Sequence, residues 1–208
     1  MNPNGSNTHR IGISGGTFDP IHIGHLISAE HVREKFNLEK IVFVTAGAPP
    51  HKDLSLISEF VHRHAMVNAA VSGNPFFEAS DMEIGREGLS YTFDTLLELR
   101  SKYGDCSLYF IIGADVIKDI KAWKNPSGIF SLCEIIALMR PGYSNSGFLN
   151  NIRMLRNSYN AVVHLAEAPL VNISSTEIRK MVHDGASIKY LVPEPVEDYI
   201  RINGLYRQ

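Results

Sequence analysis

Residues 11–25 read Ile11-Gly12-Ile13-Ser14-Gly15-Gly16-Thr17-Phe18-Asp19-Pro20-Ile21-His22-Ile23-Gly24-His25. A strand-like run ends at Ser14, two glycines follow, and a helix-like run opens near Ile21 or His22. Gly15 and Gly16 let the backbone approach a ligand where a Cβ would intervene. In open parallel sheets ligands lie beyond the carboxyl ends of the strands, where such loops gather. The helix that follows offers free N–H groups and a partial positive charge to an anion. The loop contains neither G-x-x-x-x-G-K-[ST] nor G-x-G-x-x-G, which argues against a P-loop kinase and, more weakly, against a nicotinamide-dependent oxidoreductase.

Outward from this loop, strand-like segments recur at Arg10–Ser14, Lys40–Ala46, Phe76–Met82, Leu108–Ile112, Ile135–Arg140 and Ala161–Leu165. Several are continuous apolar runs, as in strands buried on both faces. Helix-like segments alternate with them at His22–Phe36, Ser58–Ser72, Tyr91–Tyr103, Ala114–Ala122 and Phe148–Asn157. Past Leu165 the pattern is helical only: Ser174–His183, stopped by Gly185, then a helix opened by Pro193 and Pro195 and running to about Ile202. The expectation is an α/β fold, a Rossmann-like open parallel sheet with helices on both faces and a small C-terminal helical cap. Residues 1–208 form one domain on this reading, with 1–9 as a loose polar tail and 170–208 as the cap.

The 208 residues are 44% hydrophobic and 20% charged, which suits an ordinary globular core. A net charge of −2 provides no global basic field for a nucleic-acid polymer, although a local positive pocket can still bind a small anion. Cys106 and Cys133 stand apart in no paired motif, so a disulfide framework or structural zinc is not expected, and a reducing cytoplasm is. Met1–Arg10 lacks the apolar stretch of a secretory signal, and no apolar run is long enough to span a bilayer.

His22 and His25, three residues apart, would share a helix face beside the anion site and donate hydrogen bonds to phosphate oxygens. Ser174-Ser175-Thr176-Glu177 fits a capping box, with Ser174 as N-cap and Glu177 at N3; capping alone leaves the run of three hydroxyls unexplained. Arg179, one turn later, adds a forked cation suited to phosphate. Ser90 can cap the helix that follows it, and the N–H groups of Tyr91 and Thr92, with the Thr92 hydroxyl, can receive a carboxylate. Asp115 follows a strand end, within reach of a ribose hydroxyl or a metal. Position alone leaves Lys52 as much a surface lysine as a ligand, and Trp123 as a partly buried core ring. Arg140 ends a strand and can reach an acceptor phosphate or pair with a surface carboxylate. His62 and His64, two apart, cannot share a helix face and read as solvated residues. No H-E-x-x-H is present, which disfavours a zinc hydrolase.

The segment Gly15-Gly-Thr-Phe-Asp-Pro-Ile-His22-Ile-Gly-His25 resembles the H-x-G-H signature of the nucleotidyltransferase superfamily. The resemblance continues through Pro49-Pro50-His51-Lys52, Ser90-Tyr91-Thr92-Phe93-Asp94-Thr95, Gly113-Ala114-Asp115, Trp123, Ile173-Ser174-Ser175-Thr176-Glu177-Ile178-Arg179 and Tyr190-Leu191-Val192-Pro193. Together these are similar to the bacterial nicotinate-nucleotide adenylyltransferases. The resemblance implies ATP and nicotinate mononucleotide as substrates, with deamido-NAD and pyrophosphate as products; Mg²⁺ would be carried mainly by the ATP phosphates, because that ion keeps waters and uses substrate phosphates. It implies catalytic roles for His22, His25 and Arg179. ATP would be bound by Gly15, Gly16, Thr17, Phe18, Asp19, Lys52, Ser174, Ser175 and Thr176. Nicotinate mononucleotide would be bound by Ser90, Tyr91, Thr92, Asp115 and Trp123 (stacked on the pyridine), and, from its position at a strand end, by Arg140. A monomer or small homo-oligomer is expected, with neither nucleic acid nor membrane as partner. Three other readings compete: a phosphopantetheine adenylyltransferase or cytidylyltransferase with the same chemistry, a nucleotide-binding regulator without turnover, and an oxidoreductase lacking its usual glycines.

Overall fold

A computed structural model describes residues 9–50, 52–139, 146–167, 169 and 171–207. Six parallel strands are observed, β1 (His9–Gly16), β2 (Lys40–Thr45), β3 (Phe77–Ser80), β4 (Cys106–Gly113), β5 (Glu134–Met139) and β6 (Val163–Glu167), in the order β3-β2-β1-β4-β5-β6. The chain therefore builds outward from β1 to one edge, then restarts at β4 on the other side. The carboxyl ends of β1 and β4 flank the point where strand order reverses, the place where such sheets bind ligands. Strand β1 runs two residues further than expected: Gly15 and Gly16 still pair with Val44 and Thr45. The loop proper thus begins at Thr17.

The helices are α1 (Ile23–Lys35), α2 (Phe60–Val71), α3 (Thr92–Tyr103), α4 (Pro126–Leu132), α5 (Ser146–Tyr159), α6 (Ser175–His183) and α7 (Glu194–Ile202). Alternate side chains of each strand feed two cores. One core holds Ile13, Val44, Leu108 and Phe110 against Leu96 and Leu99 of α3, Ile129 of α4 and Leu155 of α5. The other holds Phe43, Tyr109 and Ile136 against Val32 of α1, Met66 of α2, Ile178 of α6 and Ile200 of α7. The closing helices thus cap the face that carries α1 and α2, and α7 packs on α2. Among the described residues no helix is long and apolar enough to cross a membrane.

Two local differences from the expected pattern have clear causes. The helix expected over Ala114–Ala122 is two 3₁₀ turns, Ala114–Lys118 and Ile120–Ala122. Its buried residues are Ala114, Ile117 and Ile120, spaced by three, which matches the three-residue turn of a 3₁₀ helix rather than 3.6. Helix α4 is additional. Asn125, in the left-handed region at φ 52°, accepts from the Gly128 N–H, and Pro126 stands in the first turn. An N-cap asparagine followed by proline is a readable helix start.

Candidate active site

A cleft of about 1390 Å³ opens over the carboxyl ends of β1 and β4, lined among others by Gly15, Gly16, His22, His25, Lys52, Tyr91, Thr92, Asp115, Trp123, Ser174, Ser175, Thr176 and Arg179. That volume exceeds the roughly 300–1,000 Å³ of a single-ligand pocket, so there is room for two substrates side by side. Thr17, Phe18, Asp19 and Ser90 also border it. Of the anticipated site residues only Arg140 lies outside the described residues, as does His51 of the neighbouring loop.

The two histidines are arranged by capping rather than by sharing a helix face. His22 is the N-cap of α1, with extended backbone (φ −142°, ψ 168°), and its N–H donates to Nδ1 of His25 at 3.2 Å. The rings stack with centroids 3.7 Å apart, and Phe18 meets His25 edge-on at 5.2 Å. Because Nδ1 of His25 accepts, the neutral ring carries its proton on Nε2. Burial pushes His22 down to about 4, and burial with the neighbouring His22 pushes His25 down to about 3, so both rings are neutral near pH 7. Nδ1 of His22 is buried and makes no hydrogen bond of normal geometry among the described residues. Gly24 fits between these parts because a Cβ there would stand 3.1 Å from that same nitrogen.

The late helix docks directly on the first loop. Ser174 caps α6 by accepting from the Glu177 N–H at 3.2 Å. Ser175 Oγ donates to the Pro20 carbonyl at 2.8 Å, and Arg179 Nη1 donates to the Asp19 carbonyl at 2.7 Å. Arg179 Nη2 reaches the Thr176 hydroxyl at 3.5 Å. The three hydroxyls therefore have structural partners, and at Ser175 and Arg179 those partners join α6 to the loop after β1, 155 and 160 residues away. Arg179 keeps further N–H donors free for a ligand, since a guanidinium carries five. Lys52 is exposed at the cleft. Burial lowers its pKa first, then the nearby positive charge of Arg179, with Arg63 contributing and Asp19 opposing. Cations crowded within each other's field gain most from a polyanion.

Arg63 carried no sequence signal beyond a charge inside the apolar run of α2. It is 2% exposed and donates to four carbonyls: Ser58 (2.9 Å), Thr17 (2.8 Å), Ala46 (2.7 Å) and Gly47 (3.2 Å). One guanidinium thus holds both loops that follow β1 and β2. His62 and His64 are half-buried rather than solvated: His62 bonds the Tyr199 hydroxyl at 3.1 Å and His64 the Thr45 hydroxyl at 3.1 Å.

At the other end of the cleft, Tyr91 rather than Ser90 is the N-cap of α3. Ser90 is buried and joins Ala48 twice, its N–H to the carbonyl at 2.9 Å and its hydroxyl to the N–H at 3.3 Å. Buried Glu83 extends this clamp, accepting from the Gly47 N–H at 3.0 Å and the Thr95 hydroxyl at 2.5 Å. A Cβ on Gly47 would strike the Glu83 carbonyl at 2.5 Å, so only glycine fits there. Tyr91 and Thr92 present the uncapped first turn of α3. Trp123 is half-buried, edge-on to Phe110 at 6.2 Å, with another part of its surface on the cleft. Lys124, also at the cleft, lies 4.4 Å over the Tyr91 ring and 3.0 Å from Asp94.

A family profile described as Cytidylyltransferase-like matches residues 13–181. A protein of Thermoanaerobacter sp. (strain X514), "Probable nicotinate-nucleotide adenylyltransferase", is 45% identical over 96% of this chain and 95% of its own. One of Moorella thermoacetica with the same description is 47% identical over 95% and 92%. Among solved structures, Plasmodium falciparum nicotinic acid mononucleotide adenylyltransferase complexed with NaAD superposes with a TM-score of 0.76 at 23% identity, covering 95% of this chain and 97% of that one, a likeness of fold.

Proposed function

This chain belongs to the cytidylyltransferase-like family and, within it, to the nicotinate-nucleotide adenylyltransferases, and on that premise we propose how its cleft works. The enzyme transfers the adenylyl group of ATP to nicotinate mononucleotide, giving deamido-NAD and pyrophosphate in NAD biosynthesis. The acceptor is a phosphate monoester with a second pKa of about 6, so it is largely a dianion at neutral pH and needs no general base. One of its oxygens attacks the α-phosphorus in line. The new P–O bond forms as the bond to the β-phosphate oxygen breaks, and pyrophosphate departs with that electron pair. Positioning and charge stabilisation carry the rate.

His25 donates its Nε2–H to the α-phosphate, where charge reorganises, while His22 holds a neighbouring oxygen. Arg179, Lys52 and the start of α6 hold the β- and γ-phosphates; Gly15 to Asp19 form the floor beneath ATP. The first turn of α3 receives the nicotinate carboxylate, Trp123 stacks on the pyridine, and Asp115 faces a ribose. Arg140, outside the described residues, is assigned to the acceptor phosphate from its sequence position after β5 alone. The described residues contain no group of three or more His, Cys, Asp or Glu able to cage a metal. Mg²⁺ would be held chiefly by substrate phosphates, its usual habit, and there it would neutralise charge on the leaving group. The observation that carries the reading is the docking of α6 onto Asp19 and Pro20, which puts the paired imidazoles and Arg179 on one cleft. Purified protein with ATP, Mg²⁺ and each mononucleotide in turn tests it by product mass. The deamido dinucleotide is the expected product; product only with CTP or with another acceptor overturns the assignment.

A further inference from the structure

The chain's last turn reaches back to the first loop. Tyr206, held at φ 65°, packs in the core shared by α2 and α7 and donates its hydroxyl to Oδ1 of Asp19 at 2.7 Å. Asp19 is 3% exposed; its Oδ2 accepts from the Ser58 N–H at 3.2 Å, and its carbonyl accepts from Arg179. The same Oδ2 stands 4.0 Å from Nη1 of Arg179, one short swing from a direct ion pair. The cleft lining includes Asp19 and Arg179 but not Tyr206. Burial, reinforced by the Asp19 charge, raises the Tyr206 pKa far above its ordinary value, so the hydroxyl remains a donor at any working pH.

A buried carboxylate must find donors. With Tyr206 and Ser58 supplying them, Asp19 is satisfied away from Arg179, and the guanidinium keeps free N–H groups for phosphate. Without the hydroxyl, the nearest replacement is Arg179 itself, whose charge the carboxylate would then neutralise. We propose that Tyr206 is a positioning residue for the triphosphate end of the cleft, acting through Asp19 to keep Arg179 available. The inference deepens the proposed function, resting on its assignment of Arg179 to the ATP phosphates.

The test is a cycle of Tyr206→Phe and Arg179→Ala, read as MgATP affinity by calorimetry without acceptor, with KM for each substrate and the melting temperature alongside. Tyr206→Phe keeps the packed ring and is expected to weaken ATP binding about tenfold, the scale of one charge-assisted hydrogen bond. KM for the acceptor should stay within about twofold. On the Arg179→Ala background the same change should alter ATP affinity by less than about twofold, because its target is gone. Equal weakening on both backgrounds, or unchanged affinity, overturns the proposal. If the phenylalanine variant folds poorly, Tyr206→Phe with Asp19→Asn gives a second reading. Measured against Asp19→Asn alone, Tyr206→Phe should then change ATP affinity by less than about twofold, and an undiminished loss overturns the idea. Because ATP affinity is read without acceptor, failure of nicotinate mononucleotide as substrate would count against the proposed acceptor and leave this cycle intact.

Discussion

Replacing His25 by alanine separates the chemistry of the cleft from its architecture. The imidazole makes three kinds of contact: it accepts from the His22 N–H at 3.2 Å, stacks on His22, and meets Phe18 edge-on. Loss of the cap-like acceptor costs about 1 kcal/mol, and the lost ring contacts add about 1 kcal/mol more. At about 2–4 °C per kcal/mol for a chain of this size, the melting temperature should fall by several degrees. The effect on turnover should be much larger. Nε2–H is the donor assigned to the reacting phosphate, and deleting one such donor in a preorganised site costs about 10²–10³ in kcat, or about 2.7–4 kcal/mol. Steady-state pyrophosphate release, measured well below the melting transition with both substrates saturating, reads the loss directly. Turnover within about tenfold of the wild type, in a variant with the expected small drop in melting temperature, would refute the donor role.

Four further outcomes follow from the geometry. Arg63→Met leaves four loop carbonyls without their donor and should cost about 3–5 kcal/mol of stability, read as a large drop in denaturation midpoint; a shift under about 1 kcal/mol would mean water replaces the guanidinium. Acid should destabilise the fold in two stages. The unfolded chain protonates histidines near 6.5 while His22 and His25 stay neutral to about 4 and about 3, so stability falls as pH drops through that window. Hydrogen bonds from Lys102, Lys40 and Tyr103 outweigh burial and hold Glu78 down at about 2, and the stability this adds is lost from 4.5 downward. Urea titrations from pH 8 to 3.5 should show the first loss in the wild type and a weaker one in a His22→Ala, His25→Ala double variant. Trp123→Ala should raise KM for the acceptor about tenfold or more, on the scale of a lost aromatic stack, and leave KM for ATP unchanged; an equal rise in both would place the ring elsewhere. Removing Mg²⁺ with chelator should abolish turnover without moving the melting temperature of the unliganded protein; a fall in that temperature would reveal a resident metal.

How much was legible in the chain depended on range. Strands β2, β4 and β5 were readable because apolar runs buried on both faces leave a continuous signature, and α6 and α7 because their punctuation is local: Ser174, Gly185, Pro193. The cleft-lining residues to which the proposed chemistry is assigned were readable too, since His22 with His25 and Ser174 through Arg179 lie close together in their own elements. The stretch after Gly113 was misread where a three-residue period stood in for a 3.6-residue one, and the Asn125-Pro126 helix start was passed over.

Residues such as Arg63, Glu83 and Tyr206 had no local signature, because their partners lie far along the chain: Thr17 is 46 residues from Arg63, and Asp19 is 187 from Tyr206. The amino-acid sequence by itself set the alternation of strand and helix, the glycine loop and the side-chain types from which the proposed chemistry is drawn, since those follow from backbone propensity and side-chain chemistry over a few residues. Only the tertiary structure decided that the histidines are neutral, that Ser90 and Ser175 clamp loops, and that Asp19 and Pro20 seat the second motif on the first. Desolvation and long-range hydrogen bonds exist only once distant segments have packed together.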